Sequence, residues 1–253
     1  MKSYLLLFIG LNISLFSFCS EPEIITLSQD MFLAQRMGQD YSDFQSEIEH
    51  YDFNQLKEEL KNDTLKKAFW LNMYNVYVQI GLEAYDSLYL NKRRKFFNKE
   101  FIAIAGKSFS LNDIEHGILR KSQKLWGLGR LRKWFPGKTE KALRVAELDY
   151  RIHFGLNCGA KSCPPIAYYE PENLEEQLDQ AGKIFVISTS EYDNARNLVF
   201  VSKIFSWYRG DFGGKKGIRK ILKEYGAIPK SASKVKIEFQ DYDWSVETEN
   251  YAK

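Results

Sequence analysis

The chain has 253 residues, 44% of them hydrophobic and 15% aromatic, with 36 Lys/Arg against 33 Asp/Glu and a formal charge of +3. That is enough apolar material for one well-packed domain, and no Pro/Gly/Ser linker or charged tail divides it. The near balance of charge gives no reason to expect a nucleic-acid partner.

Lys2 precedes the apolar run "YLLLFIGLNISLFSF", the positive n-region and short apolar core of a secretory signal. Asn12 and Ser14 interrupt it, and it falls short of the ~20 apolar residues a membrane span needs. Ser17 and Cys19 fit the −3 and −1 positions of a cleavage site. Alternatively Cys19 carries a lipid, with Leu15 near the lipoprotein position and Phe18 against it, because that slot normally takes a small residue. The expectation is a signal over residues 1–19 and a single exported domain over 20–253, periplasmic, secreted or lipid-anchored at the cell envelope. Any membrane contact would come through a lipid on Cys19. Cys158 and Cys163 would then sit where a disulfide persists.

The stretch from Ser28 to Thr64 reads as polar helices with turns near Gly38 and Asn62-Asp63. "LKKAFWLNMYNVYVQIGLEAY" follows as a helix. Leu65, Phe69, Met73, Val76 and Ile80 share one face, Leu71, Val78 and Leu82 the opposite one, and no charge occurs between Ala68 and Leu82. A helix apolar on every side is buried. Asn72, Asn75 and Gln79 form an amide row along it, and each amide left unpaired would cost ~1–3 kcal/mol. They clamp a neighbouring loop, bind a substrate, or both.

"FIAIAGKSFSL" reads as a hairpin around Ala105-Gly106. "SLND", residues 110–113, has the Ser-x-x-Asp form of a capping box opening a helix. On that helix Glu115 falls inside the apolar arc and His116 at its edge. A core-facing carboxylate must be paired or have its pKa raised by desolvation.

From Arg120 to Arg144 nine Lys/Arg stand against Glu140 alone, with Trp126, Trp134 and Phe135 between them. This is a solvated flap, or a surface for anionic lipid, glycan or peptide. Beyond it, "YRIHFGLN" reads as a buried strand and "PENLEEQLDQAGKIFVIST" as a helix. "NLVFVSKIFSWY" reads as one or two strands, "KKGIRKILKEYG" as a helix ending at Gly226, and "KVKIEFQDYDW" as a last strand. The mix fits an α+β fold, one domain with a buried central helix and a mixed or antiparallel sheet, on a papain- or transglutaminase-like layout.

"HFGLNCGAKSCPPI", residues 153–166, concentrates one His and two of the three Cys. Three readings stand. A Cys158–Cys163 disulfide would close a short loop and stabilise modestly. A metal would need His153, Cys158, Cys163 and a distant His116, at poor spacing for a structural zinc. A nucleophilic Cys158 would have Gly159-Ala160 beside it to admit a carbonyl and free backbone N–H groups for an oxyanion hole. His50 lies in a polar segment and His153 on the other face of the strand, which leaves His116 as the base.

The segments "AFWLNMYNVYV" (68–78), "FSLNDIEHGILR" (109–120), "RIHFGLNCGAKSCPPI" (151–166) and "YDWS" (242–245) resemble the DUF547 family, a domain of unknown function. The family pattern includes the positions of Asn72, Asn75, Glu115, His116, His153, Cys158 and Cys163. Plant relatives keep the first Cys and can carry Ser at the second, which implies that Cys158 is the special thiol. Gly155 stands where Ala is commoner.

Two functional expectations follow. One is a thiol hydrolase or acyl transferase acting on an amide or ester bond of a small molecule or peptide. In it Cys158 attacks, His116 is base and then acid, Glu115 or Asn72 orients His116, and Gly159 N–H binds the oxyanion. Asn75, His153 and Cys163 complete the binding site, without metal or cofactor. The other is a non-catalytic domain that meets a cell-envelope component.

Overall fold

A computed structural model describes residues 21–252. The expected signal over residues 1–19, with Cys19, lies outside the described residues. Among those described, no helix is long and apolar enough to cross a membrane.

Three short helices, α1 (Glu23–Arg36), α2 (Ser42–His50) and α3 (Phe53–Glu59), lead into the long α4 (Asp63–Phe97). Helix α4 starts where Asn62, as N-cap, accepts a hydrogen bond from Leu65 N–H at 3.0 Å. From Ala68 to Gln79 every residue is buried, as an all-apolar surface requires. Backbone angles leave the helical region at Tyr85 and Lys92, which kinks the second half. The expected hairpin is β1 (Ile102–Ile104) with β2 (Lys107–Phe109). Ala105 (φ 49°) and Gly106 (φ 67°) make its two-residue turn with both φ positive.

Ser110 and Asp113 form the capping box, with Ser110 N–H donating to Asp113 Oδ2 at 3.0 Å and Asp113 N–H to Ser110 Oγ at 3.1 Å. The helix it opens, Asp113–Leu119, is a π-helix rather than an α-helix. Arg120 N–H bonds Glu115 O and Ser122 N–H bonds Gly117 O, each across five residues.

After α5 (Lys138–Leu143) the structure corrects the sequence reading. "YRIHFGLN" is not a strand: Ile152–Gly155 is a short helix, α6, nucleated where Asp149 accepts Arg151 N–H on its carboxylate and Ile152 N–H on its carbonyl. All four residues are buried, and a short apolar run buried on every side has no periodicity that separates helix from strand. Helix α7 (Leu174–Ser188) precedes β3 (Glu191–Asp193) and β4 (Leu198–Val201). "KIFSWY" then gives helix α8 (Ile204–Trp207), not a second strand, and α9 (Gly214–Glu224) and β5 (Lys236–Phe239) follow. Strand β4 pairs antiparallel with β3 and parallel with β5, so the fold is α+β with a mixed sheet.

Two apolar clusters fill the interior. One surrounds α4, and the other lies between α7, the sheet, α8 and α9. Helix α6 joins them: Ile152 packs in the first and Phe154 in the second. His153, between these two residues, is therefore buried at the seam.

Candidate functional site

The amide row on α4 is a clamp. Asn72 pairs with the Tyr169 backbone in both directions, donating from Nδ2 to Tyr169 O at 3.0 Å and accepting Tyr169 N–H on Oδ1 at 2.7 Å. Asn75 donates to Gly155 O at 2.9 Å and Ala167 O at 3.0 Å, and accepts Asn157 N–H at 2.9 Å. These bonds fix both ends of the Cys segment against the central helix. With its amide spent on Tyr169, Asn72 does not orient His116, which corrects that expectation.

The Cys segment is closed by a Cys158–Cys163 disulfide, S–S 2.02 Å. The structure therefore holds no free Cys158 thiol. Tyr242 OH lies 3.2 Å from Cys158 Sγ and 3.1 Å from Cys163 Sγ, and Cys158 N–H points at Cys163 Sγ at 3.0 Å. Gly159 adopts φ 78°, and a Cβ there would meet Leu82 Cδ1 at 2.6 Å. Its N–H donates to Asn157 Oδ1 at 2.8 Å, so it is spoken for and does not serve an oxyanion, a second correction. The weighed zinc set dissolves for a related reason: both sulfurs are bonded to each other, and both histidines are engaged elsewhere.

Those engagements build a buried charge network. His153 donates from Nε2 to Asp211 Oδ2 at 2.8 Å and stacks on Tyr208, ring centroids 3.9 Å apart. Arg120, fully buried, donates from Nε to the same Asp211 oxygen at 2.7 Å, and its Nη1 lies 2.6 Å from His116 Nδ1. A guanidinium has no lone pair to offer, so Nδ1 is the acceptor and the ring proton of His116 sits on Nε2. Burial and the Arg120 charge hold the His116 pKa at about 4, despite Glu115 and Asp211 nearby, so the ring is neutral. Burial lowers the pKa of His153 as well, against the pull of Asp211. Burial alone would raise the carboxyl of Glu115, but the Arg120 guanidinium and the nearby Tyr208 hydroxyl oppose that, and it stays below its ordinary value. The core-facing carboxylate is thus paired and anionic. Tyr74 OH donates to its Oε2 at 3.3 Å. Among the described residues no hydrogen bond reaches Glu115 Oε1, and none reaches His116 Nε2.

This network floors a cavity of about 470 Å³. Glu115, His116, Tyr74 and Tyr208 lie at its base, and the disulfide and Tyr242 on one side. Trp207 and Trp244 wall it, and Arg93 and Arg94 also line it. Trp207, Tyr242 and Trp244 pack on one another at 4.7–5.6 Å between centroids, and Arg93 lies over Trp244 at 4.3 Å. His116, His153, Cys158, Cys163 and Glu115, chosen from sequence, all line it, whereas Asn72, Asn75 and Gly159 support it from behind. His50 is at the surface.

Sequence reasoning missed Arg120, Asp211, Tyr208 and Tyr242. Arg120 had a signal, since it lies one turn past His116 on the same helix. Asp211 and Tyr208 arrive from a distant loop that only the tertiary fold brings in.

Above the network runs the segment 121–139. Gly129 lies directly on Asp211, where a Cβ would meet Asp211 Oδ1 at 2.2 Å, and Gly210 N–H donates to Leu128 O at 2.7 Å.

A family model described as "Protein of unknown function, DUF547" matches residues 46–186, which span α4, the π-helix, α6 and the disulfide loop. No curated protein and no solved structure matches the chain significantly.

Proposed function

The chain belongs to the DUF547 family, and we propose that it is an exported binding domain of the cell envelope whose cavity takes a small ligand or peptide carrying an amide or hydroxyl group. One observation carries this. Glu115 Oε1, a buried anionic acceptor with only the Tyr208 hydroxyl near it, lies 3.4 Å from Nδ1 of a neutral His116, and the other nitrogen of that ring, Nε2–H, has no acceptor. A primary amide presents an N–H and a C=O side by side, and a hydroxyl does both with one atom, so either would satisfy the pair. The Trp207–Tyr242–Trp244 wall suits a flat or apolar body, and Arg93 and Arg94 suit a carboxylate at its far end.

Titration with N-acetyltryptophanamide, against 3-methylindole as a probe lacking the amide, tests the reading. The amide should perturb the His116 ring signals and bind at least about tenfold better, the equivalent of one well-made hydrogen-bonded pair. Glu115→Gln and His116→Phe should each remove that preference. Equal binding of the two probes would sink it.

A second reading, a thiol hydrolase, is favoured by the presence of Cys158, Cys163 and His116 on one cavity. It requires a dithiol donor to deliver two electrons and two protons to the disulfide, leaving two thiols and an oxidised donor. It also requires His116 to exchange its Arg120 partner so that a lone pair faces sulfur. Ester hydrolysis that appears only with dithiothreitol and vanishes in Cys158→Ser supports it. Its absence in the reduced protein removes it.

A further inference from the structure

Residues 121–139 contain six Lys/Arg and no acid. Within them Leu125, Trp126, Leu128, Leu131, Trp134 and Phe135 are exposed, Trp126 by 70%, Trp134 by 85% and Phe135 by 92%. The other exposed large hydrophobics among the described residues are scattered singly or in pairs, so this concentration is a patch and not background. Nor is it a loose loop. Lys124 N–H bonds Leu131 O at 2.7 Å, Lys133 N–H bonds Ser122 O at 2.7 Å, and Gln123 pairs with Arg132 as a bridge. The backbone is stapled into a narrow ribbon that holds its apolar side chains out to water.

We propose that this ribbon docks on the anionic surface of a lipid bilayer. Trp126, Trp134 and Phe135 would enter the interfacial layer, and Lys124, Arg130, Arg132 and Lys138 would meet lipid phosphates. The chemistry favours a bilayer over a protein partner. Trp is at home at the membrane–water boundary, its ring apolar and its N–H wet. Lys121 and Lys133 pair with Glu147 and Glu140, and the remaining flap cations, on a segment with no carboxylate of its own, match a negative leaflet. A protein groove would need the apolar side chains contiguous and the cations individually paired, whereas here Arg130, Leu131 and Arg132 alternate and Arg130 and Arg132 are exposed. Leu125, Trp126 and Leu128 also line the cavity, so docking would set its mouth against the bilayer. The inference goes beyond the cavity's ligand and does not need it: amide binding is read in solution, docking on vesicles.

The full chain is sedimented with vesicles of phosphatidylcholine, alone or mixed with phosphatidylglycerol. Its tryptophan emission is also recorded with brominated lipid as quencher. Binding should require phosphatidylglycerol, weaken with salt, and fall at least about tenfold in both Trp126→Ser/Trp134→Ser/Phe135→Ser and Arg130→Glu/Arg132→Glu. Because these side chains are exposed, both variants should keep the parent's thermal midpoint. Lys215→Glu/Lys220→Glu, on the basic face of α9, serves as the charge control and should change binding little. Flap variants that sediment like the parent, loss that follows the α9 variant instead, or equal binding to neutral vesicles would each overturn the proposal.

Discussion

Arg120 Nη1 and His116 Nδ1 are 2.6 Å apart, and both side chains are buried. That contact fixes the imidazole as a neutral donor through Nε2, the opposite of the base that a thiol mechanism asks for.

Removing one partner of the Arg120–Asp211 pair should be severe. Both side chains are essentially inaccessible, and Asp211 Oδ2 holds His153 as well. Arg120→Met should lower unfolding free energy by about 3–5 kcal/mol, because it leaves a buried carboxylate without its cation. Arg120→Met with Asp211→Asn should recover part of that loss. Urea titration of the single and double variants checks it, and a single-variant loss below about 1 kcal/mol would contradict the network.

Acid should destabilise the fold before ordinary carboxylates titrate. The His116 pKa is about 4 in the folded chain and near 6.5 unfolded, so between these values the unfolded state binds the extra proton. Stability from this group is therefore complete above about pH 6.5 and declines as pH falls towards 4, by up to about 3 kcal/mol. The lowered pKa of His153 acts in the same direction. Glu115 and Asp211, also lowered, extend the decline below the ordinary carboxylate range. Denaturation midpoints from pH 7 to pH 4.5 should show the slope, and His116→Gln should flatten it.

Asn75 satisfies two carbonyls and one N–H on separate stretches of chain. Asn75→Leu should cost about 3 kcal/mol or more, since each buried group left unpaired contributes about 1–3 kcal/mol. Asn72→Leu, with two bonds, should cost less. An exchange-protection map of the Cys segment in both variants would show whether the losses fall where the amides act.

The disulfide closes a very short loop, so its removal should be mild. Cys158→Ser with Cys163→Ser should lower stability by about 2 kcal/mol on the chain-entropy estimate. Thermal unfolding of parent and variant measures this. A variant that fails to fold would show that the sulfurs, with Tyr242 against both, carry far more than loop closure.

Much of this was legible in the chain. The all-apolar surface of 68–82 predicts α4, and Ser110 and Asp113 predict the box that opens the next helix. Ala105-Gly106 predicts the hairpin. The amides on α4 are legible as a clamp because buried polar groups must find partners, although nothing local names Tyr169 or Gly155 as those partners. The strand expected at 150–157 holds a short helix instead because local pattern cannot distinguish two fully buried forms, and the capping pull of Asp149 decides it. The π-pitch of 113–119 and the arrival of Asp211 beneath Arg120 are tertiary facts. Together they turn a plausible catalytic His into a hydrogen-bond donor.

Gly129 lies so close to Asp211 that no side chain fits between the outer ribbon and the inner carboxylate. One oxygen of that carboxylate lies under the ribbon and the other takes both Arg120 and His153, so a single side chain joins the flap to the buried pair of histidines.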